Sequence, residues 1–507
     1  MGGSASVVAS PPPSFPFCCL TFRITDKLYV IHPNDRILAI VRHAFQQHWG
    51  GIQREENEYG THKFKLNGNP FYKNTSKEDA IAIKRAGWEC VVSTDLTRTQ
   101  DLTTWFLQRV PSAPVNLTAP PLFCVSLSSH DKLQMVNAPS YFRQILKDAM
   151  DAAYGPGVQN ESVIKEDYEL KLNGYPWWTA DFEEGIHARR ALLEMIRRFD
   201  QHKYKLYTTA NLKGTADCLF FKEDQNAVPG ETKYMMLSLN ASDRIRLVDP
   251  SPDVIDVVRR TITRFWPQGM QEERDHMNKL ATFEFKMNGY PWNCSGFEAV
   301  SARLLIAECM QQLLNRGWAV SSSLDISRRV NDKAVFVFRS CPPANLAHFC
   351  LSPSDLDKLR LINAPQDIVH EAVQIVNTTW TKGCAREGAN AGASYEWKLN
   401  GQPWSAYHGN DYAHSRDLMA KLLNAFASKG WRCICSADVS AKYVHQQNGP
   451  DYPIDVHSWF FCYTGVAGPV AVRSSMGEFG NGPSAPPMAT FPPSADLPPS
   501  YSQIMSS

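Results

Sequence analysis

The sequence predicts an α+β protein made of four tandem copies of one module, and three recurring features carry that expectation. A motif appears as KFKLNGNPFY from Lys63, ELKLNGYPWW from Glu169, EFKMNGYPWN from Glu284 and EWKLNGQPWS from Glu396. Its glycines, Gly68, Gly174, Gly289 and Gly401, lie 106, 115 and 112 residues apart, too far for a solenoid unit and far enough for a small domain. About forty residues before each motif stands an acidic-basic landmark, at Asp26, Asp131, Asp243 and Asp357. After it come GWECVVSTDLT from Gly87, HKYKLYTTANL from His202, GWAVSSSLDIS from Gly317 and GWRCICSADVS from Gly430, and each copy closes on an aromatic run such as CLFF or WFFC.

Within a copy, the alternation in KLQMV and KLRLI reads as a strand, and the Ala-Pro or Asp-Pro that follows supplies a turn and a helix start. A first helix, for example PSYFRQILKDAM, comes next. The L-K-L alternation makes a second strand, and Asn-Gly with a proline two residues on demands a positive φ and an exit from the sheet. The longest helix follows: Leu192, Met195, Ile196 and Phe199 fall at i, i+3, i+4, i+7, and Leu418, Leu422 and Phe426 repeat that stripe. Two β-rich stretches complete a β-α-β-α-β-β unit, with the helices expected on one face of a four-stranded sheet. The first copy is shortened, since Phe71 to Trp88 spans 17 residues against 26 and 27 in copies three and four. It should be the least stable alone.

These landmarks divide the chain into a flexible leader (1–15), module 1 (16–110), module 2 (121–223), module 3 (233–340), module 4 (347–464) and a tail (465–507). The proline-bearing linkers from Pro111 and Cys341 read as short, stiff joints. At 507 residues, 43% hydrophobic and 20% charged, the chain has the composition of a folded multidomain protein. A net charge of +1 offers no basic excess for a phosphate backbone, so nucleic acid is not an expected partner. No apolar run is long enough to span a membrane, and 13 irregularly spaced cysteines suit reduced thiols. A cytoplasmic protein is expected.

Chemical motifs are sparse. There is no HExxH, GxSxG, Walker loop or Rossmann fingerprint, and neither Cys433–Cys435 nor the histidines make a metal or catalytic set. No catalytic residue, cofactor or metal is assigned. The motif residues Phe71, Trp177, Trp292 and Trp404, with the four glycines, are read as mainly structural, the aromatics plugging their own cores. Arg189, Arg303 and Arg416, near the start of the long helix, are expected to pair with an acidic neighbour or to stack on an aromatic, with anion binding as the alternative. Lys65, Lys171, Lys286 and Lys398 should face solvent.

Sharper signals sit at the ends. Gly2 and Ser6 match the N-myristoylation pattern, and Cys18 and Cys19 are candidates for a second, palmitoyl anchor that would make attachment stable at the membrane periphery, or, beside Phe17 and Leu20, for buried residues of a first strand. The tail, rich in proline, serine and glycine, cannot build a core and reads as disordered. In it LPPSY resembles the PPxY ligand of WW domains, with Pro498, Pro499 and Tyr501 as the contact residues. Tyr501 to Ile504 also resembles a clathrin-adaptor sorting signal. Together these imply an adaptor or scaffold that recruits WW-domain proteins, of the HECT ubiquitin-ligase or trafficking class. The alternative is an enzyme or small-ligand protein with a pocket at a module boundary.

Overall fold

The computed structural model describes residues 16–465 apart from 24, 59, 72–87, 98–100, 110–121, 165–166, 180, 212–216, 227–229, 231, 328–332, 391, 407–408, 441–442, 445–451 and 454–455. Gly2, the tail and Gly87 lie outside these residues.

The chain folds as four tandem α+β modules, each with one six-stranded antiparallel sheet. Module 2 shows the plan: strands Leu122–Ser128 and Lys132–Val136, helix Phe142–Ala153, strands Val158–Ile164 and Asp167–Leu172, helix Phe182–Gln201, and strands Tyr204–Ala210 and Cys218–Glu223. In space the strands run third, fourth, second, first, sixth, fifth, and all four sheets share this order. The two helices of modules 2, 3 and 4 pack together over one face.

Two more strands per module are present than the sequence patterns indicate, and each escapes pattern reading for its own reason. First strands such as LFCVSLS and YMMLSLN are buried at every position, so they show no alternation; a strand covered on both faces reads as a continuous apolar run. Third strands such as IQREENE and MQEERD have no buried position. They form the outer edge of each sheet, where charged side chains keep the open edge from pairing with another chain.

What covers the second face of each sheet is the next module. The core under the helices of module 2 takes in Tyr234, Met236, Leu324, Val335 and Val337 from the back of the module 3 sheet. The module 3 core takes in Cys350, Ile362, Ile434 and Phe460 of module 4, and the module 4 core takes in Phe17, Cys19, Ile31, Val92 and Phe106 of module 1. Module 1 in turn packs on Leu122, Cys124, Tyr207 and Phe220 of module 2. The chain is therefore a closed ring of four, each module seated on its successor and the fourth on the first. The modules are not beads on joints.

Fifth strands of successive modules meet around the ring. Each carries a bulge, at Cys90/Val92, Leu206/Thr208, Val320/Ser322 and Cys433/Cys435, which bends and twists this inner edge. Beyond the bulge the hydroxyl of Thr209 donates to the Ser323 carbonyl at 2.9 Å, Ser323 donates to the Ser436 carbonyl, and Ser436 bonds Thr94 at 2.8 Å. Main-chain bonds repeat the same step: Asp217 N–H to the Asp325 carbonyl at 2.9 Å, Ala334 to Asp438 at 3.1 Å and His457 to Asp95 at 3.1 Å. The inner sheet edge, otherwise open to pairing, is closed by its equivalents.

A ring of this kind has no free-standing unit. Deleting residues 341–507 should uncover the helix layer of module 3 and the sheet back of module 1 together, giving a fragment that binds a hydrophobic dye and self-associates in size-exclusion chromatography. A monomeric fragment with the melting temperature of the full chain would contradict the closed arrangement.

Candidate functional site

The recurrent motif builds a turn whose every polar group is accounted for. Gly68, Gly174, Gly289 and Gly401 adopt φ of 68°, 75°, 70° and 89°, the left-handed region where a side chain is strained. The preceding asparagine donates its amide to a main-chain carbonyl, Asn173 to Pro156 at 2.8 Å and Asn288 to Gln268 at 2.9 Å. Its own carbonyl accepts from an aromatic at the end of the first helix, Tyr154 at 2.6 Å or Trp266 at 2.9 Å.

Trp177, Trp292 and Trp404 are fully buried, and their indole N–H groups donate to the carbonyls of Lys132, Arg244 and Lys358 at 3.0, 2.9 and 2.7 Å. They are plugs. The two sequence landmarks meet here: the N–H after the motif lysine donates to the landmark aspartate's carbonyl at 2.8 Å in all four copies. The lysines Lys65, Lys171 and Lys398 face solvent and sit 3.9, 3.7 and 4.0 Å from Asp26, Asp131 and Asp357.

The helix arginines do something the sequence did not suggest. Arg189, Arg303 and Arg416 are buried and reach across a junction to hydroxyls of the next module. Arg189 Nε donates to Ser238 at 2.9 Å; Arg303 donates to Ser458 at 3.0 Å and Ser440 at 2.9 Å; Arg416 donates to Thr97 at 3.0 Å. Arg416 also stacks on an aromatic, Tyr412, at 3.8 Å. Each guanidinium thus binds a neighbouring module.

A second polar position differs from junction to junction. It is the left-handed residue after the second strand: His32, Asp249 or Asn363. Asp249 meets Arg197 at 2.7 Å between modules 2 and 3, Asn363 meets Glu308 at 3.3 Å between modules 3 and 4, and His32 meets Asp417 at 2.7 Å between modules 4 and 1. Burial works to raise the Asp417 pKa, yet His32 and Lys421 hold its carboxyl below the ordinary value.

Near the last junction Ser436, His457 and Asp95 converge, with His457 Nδ1 at 3.2 Å from the serine hydroxyl. They do not make a nucleophilic triad. Asp95 meets the imidazole through its main-chain N–H at 3.3 Å, its carboxylate accepts the Thr97 N–H at 3.2 Å, and burial lowers the His457 pKa to about 4.

Two features were missed in the sequence. Between modules 2 and 3 lies a cleft of about 430 Å³ lined by Arg197, Asp200, Thr232, Tyr234, Asp249 and Trp318, among others. Its signal was a charged residue, Asp200, at the end of a helix whose counterparts carry Leu314 and Ala427. On the outer surface, Tyr175 and Trp178 of the module 2 motif are 62% and 47% exposed, and His130 contacts Trp178 at 5.1 Å. The exposed aromatic of the motif is thus the residue beside the buried tryptophan.

The palmitoylation candidates need correction. Cys18 and Cys19 lie in the first strand Phe17–Arg23 and are wholly buried, one against module 2 and the other against module 4. Burial pushes both thiols up, as expected of core residues. Gly2, Pro498, Pro499, Tyr501 and Ile504 fall outside the described residues. Among the described residues no helix is long and apolar enough to cross a membrane, and no cluster of metal-ligating side chains occurs.

One family model matches the chain four times, over residues 16–108, 121–225, 233–339 and 347–462. These matches cover most of the chain, which belongs to that domain family and carries four copies of its domain. Comparison with curated proteins and with solved structures found no match.

Arg303→Ala removes bonds to Ser440 and Ser458 and should lower stability by about 3 kcal/mol, at about 1.5 kcal/mol or more per charge-assisted bond; urea unfolding measures it, and a loss below about 1 kcal/mol would count against the clasp. His348, buried at the start of the module 4 sheet, has its pKa lowered to about 4 by burial. Since the unfolded chain takes up that proton below about pH 6.5 and the folded chain does not, stability contributed by the neutral imidazole is lost as pH falls from 6.5 toward 4. His348→Leu, using the residue found at Leu122, should therefore lose about 2 kcal/mol less than the parent between pH 7 and pH 5.

Proposed function

We propose that this protein is a non-catalytic scaffold: a rigid four-module ring that displays a C-terminal recruitment tail. The observation that carries the reading is ring closure. Every module buries both faces of its sheet in the ring, so residues 16–465 act as one body from whose fourth module the tail sets out. Pro498, Pro499 and Tyr501 would engage a WW domain of a HECT-type ubiquitin ligase or trafficking protein, and Tyr501 with Ile504 would serve a clathrin adaptor by turns with it. Tyr175 and Trp178 give the ring an exposed aromatic contact of the kind that anchors protein partners.

A cytoplasmic location follows from this role. With Cys18 and Cys19 buried, lipid on Gly2 would be a single anchor and would hold the protein at membranes only reversibly. A second reading, a small-ligand protein, is favoured by the cleft between modules 2 and 3.

The scaffold reading is tested by titrating WW domains with the full chain and with Tyr501→Ala. Micromolar binding that falls at least about tenfold on substitution is expected. Failure of every WW domain tested to bind the full chain would remove the reading.

A further inference from the structure

The repeat supplies its own internal comparison. Lys203, Gly317 and Gly430 each donate their N–H to the carbonyl three residues earlier, at Asp200, Leu314 and Ala427, which fixes those three as equivalent positions. Leu314 and Ala427 are buried apolar residues. Asp200 is just as buried, at 3% exposure, yet it is a carboxylate, and a buried carboxylate is costly unless something answers its charge.

Nothing nearby answers it fully. Thr232 and Tyr234 line the same cleft, but the Asp200 Oδ1 is buried without a hydrogen-bond partner. The guanidinium in the same cleft, Arg197, is committed to Asp249 at 2.7 Å and to the Tyr234 carbonyl at 2.7 Å. Lys205 is held by Asp224 at 2.9 Å, and Arg339, across the strands from Tyr234, acts on Asp200 through space without forming an ion pair with it. Trp318 of module 3 supplies an aromatic wall, a surface that favours a cation over its ring face.

We infer that the cleft between modules 2 and 3 binds a small organic cation, an ammonium or guanidinium group received by the Asp200 carboxylate beside Trp318. The inference deepens the small-ligand reading and is independent of the tail. Burial raises the Asp200 pKa, the signature of a carboxylate short of compensating charge, and a bound cation supplies that charge. Among the described residues the site belongs to one junction, because the other described counterparts are Leu314 and Ala427. The symmetric ring thus carries an asymmetric pocket.

Isothermal titration of the full chain uses three probes: agmatine for a free small cation, N-acetyl-arginine methylamide for an arginine side chain borne on a peptide, and inorganic phosphate as the opposite charge. Binding of either cation with a dissociation constant below about 1 mM, weakened at least about tenfold in Asp200→Leu, is expected, and the tighter of the two assigns the source. Leucine is the residue module 3 uses here, so this variant should fold with an unfolding midpoint at or above that of the parent. Should it not fold, Asp200→Asn, which keeps the shape and removes the charge, replaces it. Equal cation binding by parent and variant overturns the inference. Phosphate binding in place of the cations overturns the cation class while leaving a ligand site at this boundary, and binding of none of the three overturns both.

Discussion

Burial of each sheet on both faces is the constraint on which the rest of this structure depends. A sheet with helices on one side leaves its back exposed, and first strands such as YMMLSLN put Tyr234, Met236 and Ser238 there. A large apolar face of this kind must be covered, and here the helix layer of the preceding module covers it. Four such steps return to the start, so the last module finds the first. Closure also settles the fate of the sheet edges, with charged third strands facing outward and bulged fifth strands meeting at the inside.

Apolar packing holds the junctions together, and polar contacts distinguish them. Arg189, Arg303 and Arg416 place a guanidinium in the back of the next sheet, where serine and threonine hydroxyls receive it. A buried guanidinium without those acceptors would be strongly unfavourable, so the contact penalises any arrangement that offsets helix and sheet. The left-handed position adds a difference of sign: acidic Asp249 faces Arg197, whereas His32 faces the acidic Asp417. Setting Asp249 against Asp417 would oppose two carboxylates, so these two junctions are not interchangeable.

Departures from the repeat are where specific chemistry concentrates. The motif tryptophans are equivalent, buried and hydrogen-bonded alike, and so say nothing about partners. Exposed Trp178 in module 2, where modules 3 and 4 carry Asn293 and Ser405, and Asp200 at the end of its long helix depart from their counterparts. Each breaks the rule its neighbours keep, an aromatic left in solvent or a charge placed in a core, and such conflicts persist where something outside the fold compensates them.

The sequence by itself determined the repeat, the motif turn and the amphipathic long helix, because these rest on local physics: a positive φ that requires Gly174 or Gly289, and side chains at Leu192, Met195, Ile196 and Phe199 that share a helix face. It also placed Asp200 in the chain, although nothing local marked it as buried. Only the tertiary structure decided that the first strands exist as strands, since a segment apolar on both sides has no period to read. Ring closure, the inter-module role of Arg303 and the burial of Cys18 and Cys19 were likewise decided there. These depend on which residues face each other across hundreds of positions, as His32 faces Asp417, and no spacing along the chain encodes such a meeting.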